Sequence, residues 1–96
     1  MVEYIYDAIR ANKDSDVRIN AYITDKNDDL ITENCHIAIY DGTKLILNKN
    51  GEYMPDFVCW EFLLTTEELK GMSGRYLYSI YHDDEAISFK QPIYFV

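Results

Sequence analysis

Hydrophobic and polar positions divide this chain into short alternating stretches separated by turn residues. Residues 17–24 are the clearest case: Val17, Ile19, Ala21 and Ile23 alternate with Arg18, Asn20, Tyr22 and Thr24, the period of a half-buried strand. Cys35, Ile37 and Ile39 alternate in the same way with His36, Ala38 and Tyr40. Asp41 and Gly42 then predict a hairpin turn, because glycine accepts positive φ, and residues 44–49 form the returning strand. Asn50 and Gly51 repeat the turn chemistry, and Pro55 marks a further break. The next stretch, residues 57–64, is apolar except for Glu61 and reads as a strand with little water on either face, and so not as an edge. Thr65 and Glu68 frame a capping box, which predicts one helical turn near residues 66–70. Gly71, Ser73 and Gly74 end it, and the aromatic and β-branched residues 75–81 predict another strand. After the charged turn at residues 82–85, Ile87, Phe89, Ile93 and Phe95 share a face in a last strand, which Pro92 places at an edge or a bulge.

The ends of this pattern are less regular. Residues 2–9 alternate imperfectly, so residues 1–13 are read either as a docking arm or as a first edge strand. Residues 25–33 are a polar loop in which Leu30 and Ile31 can act as anchors or form a brief edge strand. About seven short strands with one helical turn predict an all-β, antiparallel two-sheet sandwich in a single domain spanning 1–96, with a small β-barrel as the alternative. The parity places Val17, Ile19, Ala21 and Ile23 across the core from Val58, Trp60, Phe62 and Leu64, with Tyr76, Tyr78 and Ile80 completing the inner faces.

Composition narrows the functional classes. With 17 acidic against 9 basic residues the formal charge is −8, which disfavours binding to a nucleic-acid backbone. The first residues lack a signal peptide's basic start and apolar run, and no stretch is apolar enough to span a membrane. The expectation is synthesis in a cytoplasm, with Cys35 and Cys59 as reduced, buried thiols. Nine tyrosines in 96 residues suit strands and binding surfaces.

The candidate chemistry is sparse. Asp25, Asn27, Asp29 and Glu33 have some spacing of a calcium loop, but its sixth and twelfth positions hold Leu30 and His36 where glycine and a bidentate acid are required, so a solvated acidic loop is the better reading. Asp83, Asp84 and Glu85 read as a solubilising turn. His36 and His82 have no nucleophile or metal partner at useful spacing, and His36 falls on the polar parity of its strand as an exposed histidine. No zinc set completes the two cysteines, and Trp60 follows Cys59 directly, unlike the order around an immunoglobulin disulfide. Glu61 reads as outward-facing or paired. No cofactor, metal or catalytic residue is assigned, and a non-enzyme is expected.

The order of a strand at residues 16–24, an acidic loop, a hairpin at Asp41 and Gly42, an aromatic strand ending in Leu64, a short helix and then Gly74, Arg75, Tyr76, Leu77, Tyr78, Ser79 and Ile80 resembles the immunoglobulin-like domains of tailed-phage virion proteins. These include the N-terminal domain of baseplate upper proteins and capsid decoration proteins. The resemblance covers the chain from about residue 14 onward, and the glycine followed by Tyr76, Tyr78 and Ile80 is its most specific part. It implies a virion component: a bacteriophage head auxiliary or decoration protein, partnered by capsid or tail subunits and able to form a homo-oligomer on the particle. Baseplate upper proteins continue into a further region where this chain stops at Val96, so a stand-alone auxiliary protein is the expectation and a baseplate component the alternative. A module recognising carbohydrate or a host surface is a second alternative, since tyrosine faces stack on sugars. The predicted interface is an outward apolar face of Phe57, Cys59 and Leu63 beside Leu77 and Tyr81, with Tyr22 and Tyr40 available elsewhere. The alternative is that the N-terminal segment folds back over that face.

Overall fold

The computed structural model describes residues 9–87 and 90–96. Two sheets pack face to face. The larger has the order β1 (Ile9–Ala11), β9 (Gln91–Phe95), β7 (Gly74–His82), β3 (Cys35–Asp41), β4 (Lys44–Asn50), with β8 (Glu85–Ala86) paired to the end of β7. The smaller has the order β2 (Val17–Ala21), β6 (Cys59–Leu64), β5 (Glu52–Met54). Neither sheet closes on itself, so the molecule is an open β-sandwich and not a barrel. The strand order matches the B-E-D and G-F-C-C′ sheets of an immunoglobulin sandwich. Pairing is antiparallel except for β1, which runs parallel to β9 with Ile9 opposite Ile93. Residues 2–8 and Phe89, which carried sequence expectations, lie outside the described residues; of the predicted N-terminal arm or strand, Ile9–Ala11 is an edge strand.

Period-two alternation builds the core. Ile19, Ile37, Ile39, Trp60, Phe62, Leu64, Tyr78, Ile80, Ile93 and Phe95 point inward from five strands and are buried together. The capping box forms: the Glu68 amide donates to Thr65 Oγ1, the Thr65 amide donates to Glu68 Oε1, and α1 (Thr66–Leu69) buries Leu69 completely. Lys49 Nζ lies 2.6 Å from Glu68 Oε2 and is the main cause holding that carboxyl below its ordinary value. At the hairpin, Gly42 has φ +62°, as its turn requires.

Four expectations are corrected. The strand predicted from residue 57 begins at Cys59. Pro55, with φ fixed near the value a turn needs, starts a reversal in which the Phe57 amide donates to the Met54 carbonyl, and this turn consumes Phe57 and Val58. Val58 is therefore exposed, not inward. Second, β2 does not face β6 across the core but pairs with it, Ile19 opposite Phe62 and Ala21 opposite Trp60. Identical parity fits both arrangements, because neighbours in a sheet share an inner face. Third, Pro92 lies in an interior strand, opposite Leu77 of β7. The described pairs with β1 begin one residue later, so the missing N–H breaks none of them. Fourth, nine strands form among the described residues where the sequence predicts about seven, β5 and β8 being too short to show a period.

Candidate functional site

The topology separates the residues predicted to form one interface. Leu63 is half-buried on the outer face of the smaller sheet, where Arg18 Nε lies 3.4 Å from Glu61 Oε1. Leu77, Tyr81 and Tyr40 belong to the outer face of the larger sheet, on the other side of the molecule. The predicted contiguous face therefore does not exist, because β6 and β7, consecutive long strands in sequence, lie in different sheets. Tyr22 follows the end of β2 and Phe57 precedes β6, so both belong to the end of the sandwich where β6 begins.

On the larger sheet, the aromatic groups are occupied by one another. The Tyr40 and Tyr81 hydroxyls are 2.8 Å apart, and this hydrogen bond, with burial second, pushes the Tyr40 phenol up to about 12. Lys90 Nζ sits 4.1 Å from the centre of the Tyr40 ring, and His36 stacks on Tyr81 at 5.1 Å. His36 is half-buried, not exposed as its parity suggests: Nε2 lies 2.9 Å from the Asp83 carbonyl and Nδ1 2.6 Å from Asn48 Oδ1. A carbonyl can only accept, which assigns a proton to Nε2. His36 thus ties β3 to β4 and to the turn after β7. The depression between these groups measures about 210 Å³.

The loop end is different. Phe57 is 74% exposed, Tyr22 62%, Val58 41% and Leu30 40%. The β2–β6 ladder ends with Ala21 opposite Trp60, and Tyr22 leaves β2 at the end where Phe57 and Val58 lead into β6. Leu30 belongs to the loop at the same end, fixed to the residues that follow β2 by the Thr24–Leu30 bridge and by the Ile31 amide donating to the Ile23 carbonyl. Asp25 Oδ1 accepts from the Asn27 and Asp29 amides, which makes the predicted acidic loop a fixed Asx turn. Beneath it, buried Trp60 donates from Nε1 to the Ile31 carbonyl at 2.6 Å, so Ile31 is the anchor and Leu30 is left outside. Val58 has φ +52°, a conformation a β-branched residue adopts only under strain.

Charge concentrates at the same end. Asp25, Asp28, Asp29 and Glu33 lie on the β2–β3 loop, Asp56 on the β5–β6 turn, and Asp83, Asp84 and Glu85 at the β7–β8 turn, which is tied to that loop by the Asp83 amide donating to the Asn34 carbonyl. These are eight of the chain's seventeen carboxylates, accompanied by one of its nine cations, Lys26. A hollow of about 520 Å³ opens there, with Asn34, Asn50, Gly51, Trp60, Asp83 and Asp84 among its lining. Cys35 lies at its floor as a buried free thiol, which burial first and the Asp83 carboxylate second push up to about 11; Cys59 is a half-buried free thiol. Among the described residues, no three His, Cys, Asp or Glu side chains are grouped to hold a metal ion.

Of the exposed apolar side chains at this end, the sequence places Tyr22 and Phe57 outward, Val58 inward by parity, and Leu30 as an anchor or part of a brief edge strand. The available signal was Pro55 opening a turn only three residues before Val58. Compared with family models, curated proteins and solved structures, the chain matches none.

Proposed function

We propose that this chain is a non-enzymatic docking domain that attaches to other proteins through its loop end, and that its setting is a bacteriophage particle, as a head auxiliary or decoration protein. The observation that carries the docking reading is Phe57, 74% exposed on a turn that also holds strained Val58. Strain of order 1–3 kcal/mol that displays apolar side chains lowers stability, and it is accounted for when a partner covers those side chains. The setting rests on the resemblance of residues from about 14 onward to immunoglobulin-like domains of tailed-phage virion proteins, and a tail baseplate mount would use the same end. Carbohydrate recognition through the sheet tyrosines has less support, because the Tyr40 ring is covered by Lys90 and the Tyr81 ring by His36.

The test is co-purification with gradient-banded particles. The parental protein is expected in the particle band, and a folded Phe57→Asp variant is expected to be lost from it, since burying an unpaired carboxylate costs several kcal/mol. Absence of the parental protein from particles would remove the virion setting. Parental occupancy by Phe57→Asp would remove the loop end as the mount.

A further inference from the structure

The charge surrounding the exposed apolar tip specifies what can cover it. We propose that Tyr22, Leu30, Phe57 and Val58 dock into an apolar cleft rimmed by lysine and arginine on a different protein chain. The inference rests on the loop end being the docking surface and goes on to name its partner's chemistry.

Protein interfaces combine a desolvated apolar centre with a polar rim whose charges oppose those of the partner. The exposed apolar side chains at this end are Phe57, Tyr22, Val58 and Leu30. The rim is acidic on both sides: Asp25, Asp28 and Asp29 on the loop bearing Leu30, Asp56 next to Phe57, and Asp83 and Asp84 across the hollow, with Lys26 alone in opposition. This distribution discriminates among occupants. A second copy docked tip to tip would set these carboxylates against their own kind, and like charges juxtaposed across a close interface suppress that pairing. An anionic lipid surface or a nucleic acid would be repelled likewise. A basic rim is attracted from a distance and meets a tip already ordered by the Asx turn at Asp25 and by the Trp60–Ile31 hydrogen bond, so little ordering entropy remains to oppose binding.

The experiment is photocrosslinking in the cells that produce the protein. A Phe57→benzoylphenylalanine variant, its fold checked by circular dichroism, is irradiated beside a Thr43→benzoylphenylalanine control in the hairpin at the opposite end. The expected result is an adduct with one other protein, mapped by mass spectrometry to an apolar segment flanked by Lys or Arg. Irradiating a cell lysate brought to higher NaCl should give a several-fold lower yield than the lysate at low salt, because exposed charges are screened within about 10 Å at 0.1 M salt. Reversing rim charge with Asp28→Lys and Asp84→Lys, Phe57→benzoylphenylalanine being retained, should reduce it by about tenfold or more. Adducts with a second copy, with lipid, or with a segment lacking basic residues would overturn the proposed partner chemistry while leaving docking intact, as would a yield indifferent to charge reversal. A yield at position 57 no higher than at Thr43 would overturn the docking reading itself.

Discussion

Trp60 joins the core to the loop end. Its ring lies against Phe62 and Tyr53, and Nε1–H satisfies the Ile31 carbonyl. Trp60→Ala should cost about 3–5 kcal/mol in urea unfolding, as expected for a large cavity. Trp60→Phe keeps most of the volume but leaves that carbonyl without its donor, and a loss of about 1–3 kcal/mol is expected, with the loop around Leu30 loosened in amide exchange. Titration gives a second test at this scale. Cys35 and Tyr40 hold their protons to about 11 and 12 when folded, against 9.0 and 10.0 ordinarily, so at alkaline pH the unfolded chain binds fewer protons and stability falls as pH rises from about 9 toward 12. Urea midpoints should drop across that window, less steeply in Tyr40→Phe, and an identical slope in the variant would contradict the Tyr40–Tyr81 account. The inward positions of Trp60, Phe62 and Leu64 were legible in sequence because each sits two residues from the next. The half-buried state of His36 was not, because Asn48 and Asp83 are brought to it only by pairing across strands.

Elements differ in how far their neighbours specify them. The helical turn and the Asp41–Gly42 hairpin are local, and both form where the sequence places them. Pairing is not local: parity shows which side of β2 is buried but not whether β6 lies beside it or opposite it, and placing β7 next to β6 because it follows in sequence gives the apolar face that the topology divides. The turn before β6 is the informative failure. An apolar run was read as uninterrupted strand, while Pro55 and the Met54–Phe57 hydrogen bond redirect its first two residues to solvent. Val58→Asn, which tolerates positive φ, should therefore raise stability by about 1 kcal/mol while weakening attachment to the particle. An unchanged or lower urea midpoint would show that Val58 holds its positive φ without a cost to stability. Gly51, where the chain leaves the larger sheet for the smaller, is constrained in the opposite sense. A Cβ there would lie 2.5 Å from Phe62 Cε1 and 2.9 Å from Trp60 Cε3, so Gly51→Ala should destabilise by about 1–3 kcal/mol through overpacking.

For the molecule as a whole, the net charge of −8 is plain from composition, but its concentration at one end exists only once the fold gathers three separated acidic segments. Folding brings those carboxylates closer than they are in the extended chain, so their repulsion acts against the native state. Added NaCl screens repulsion and attraction alike, and the balance decides the sign. Among the described residues, the Lys/Arg–carboxylate pairs are Arg18–Glu61 and Lys49–Glu68, and partly exposed pairs contribute roughly 0–1 kcal/mol each. Eight carboxylates at the loop end form many more repulsive pairs than these two attractive ones. Raising NaCl from about 10 mM to 0.3 M shortens the screening length from about 30 Å to well under 10 Å, which removes repulsion between loops while contacts within a pair are screened less. The melting temperature is therefore expected to rise with NaCl, by roughly the 4–8 °C that about 1 kcal/mol moves a domain of this size. Chloride is the salt to use, because sulfate strengthens apolar burial by exclusion and would raise the melting point whatever the charges do. The double variant Asp28→Asn, Asp84→Asn should start from a higher melting temperature at low salt and respond less to NaCl. A melting temperature that falls with NaCl would mean that the two ion pairs outweigh the loop-end repulsion. The acidic end would then be no electrostatic burden on the free protein, and a basic partner would have less repulsion to relieve by covering it.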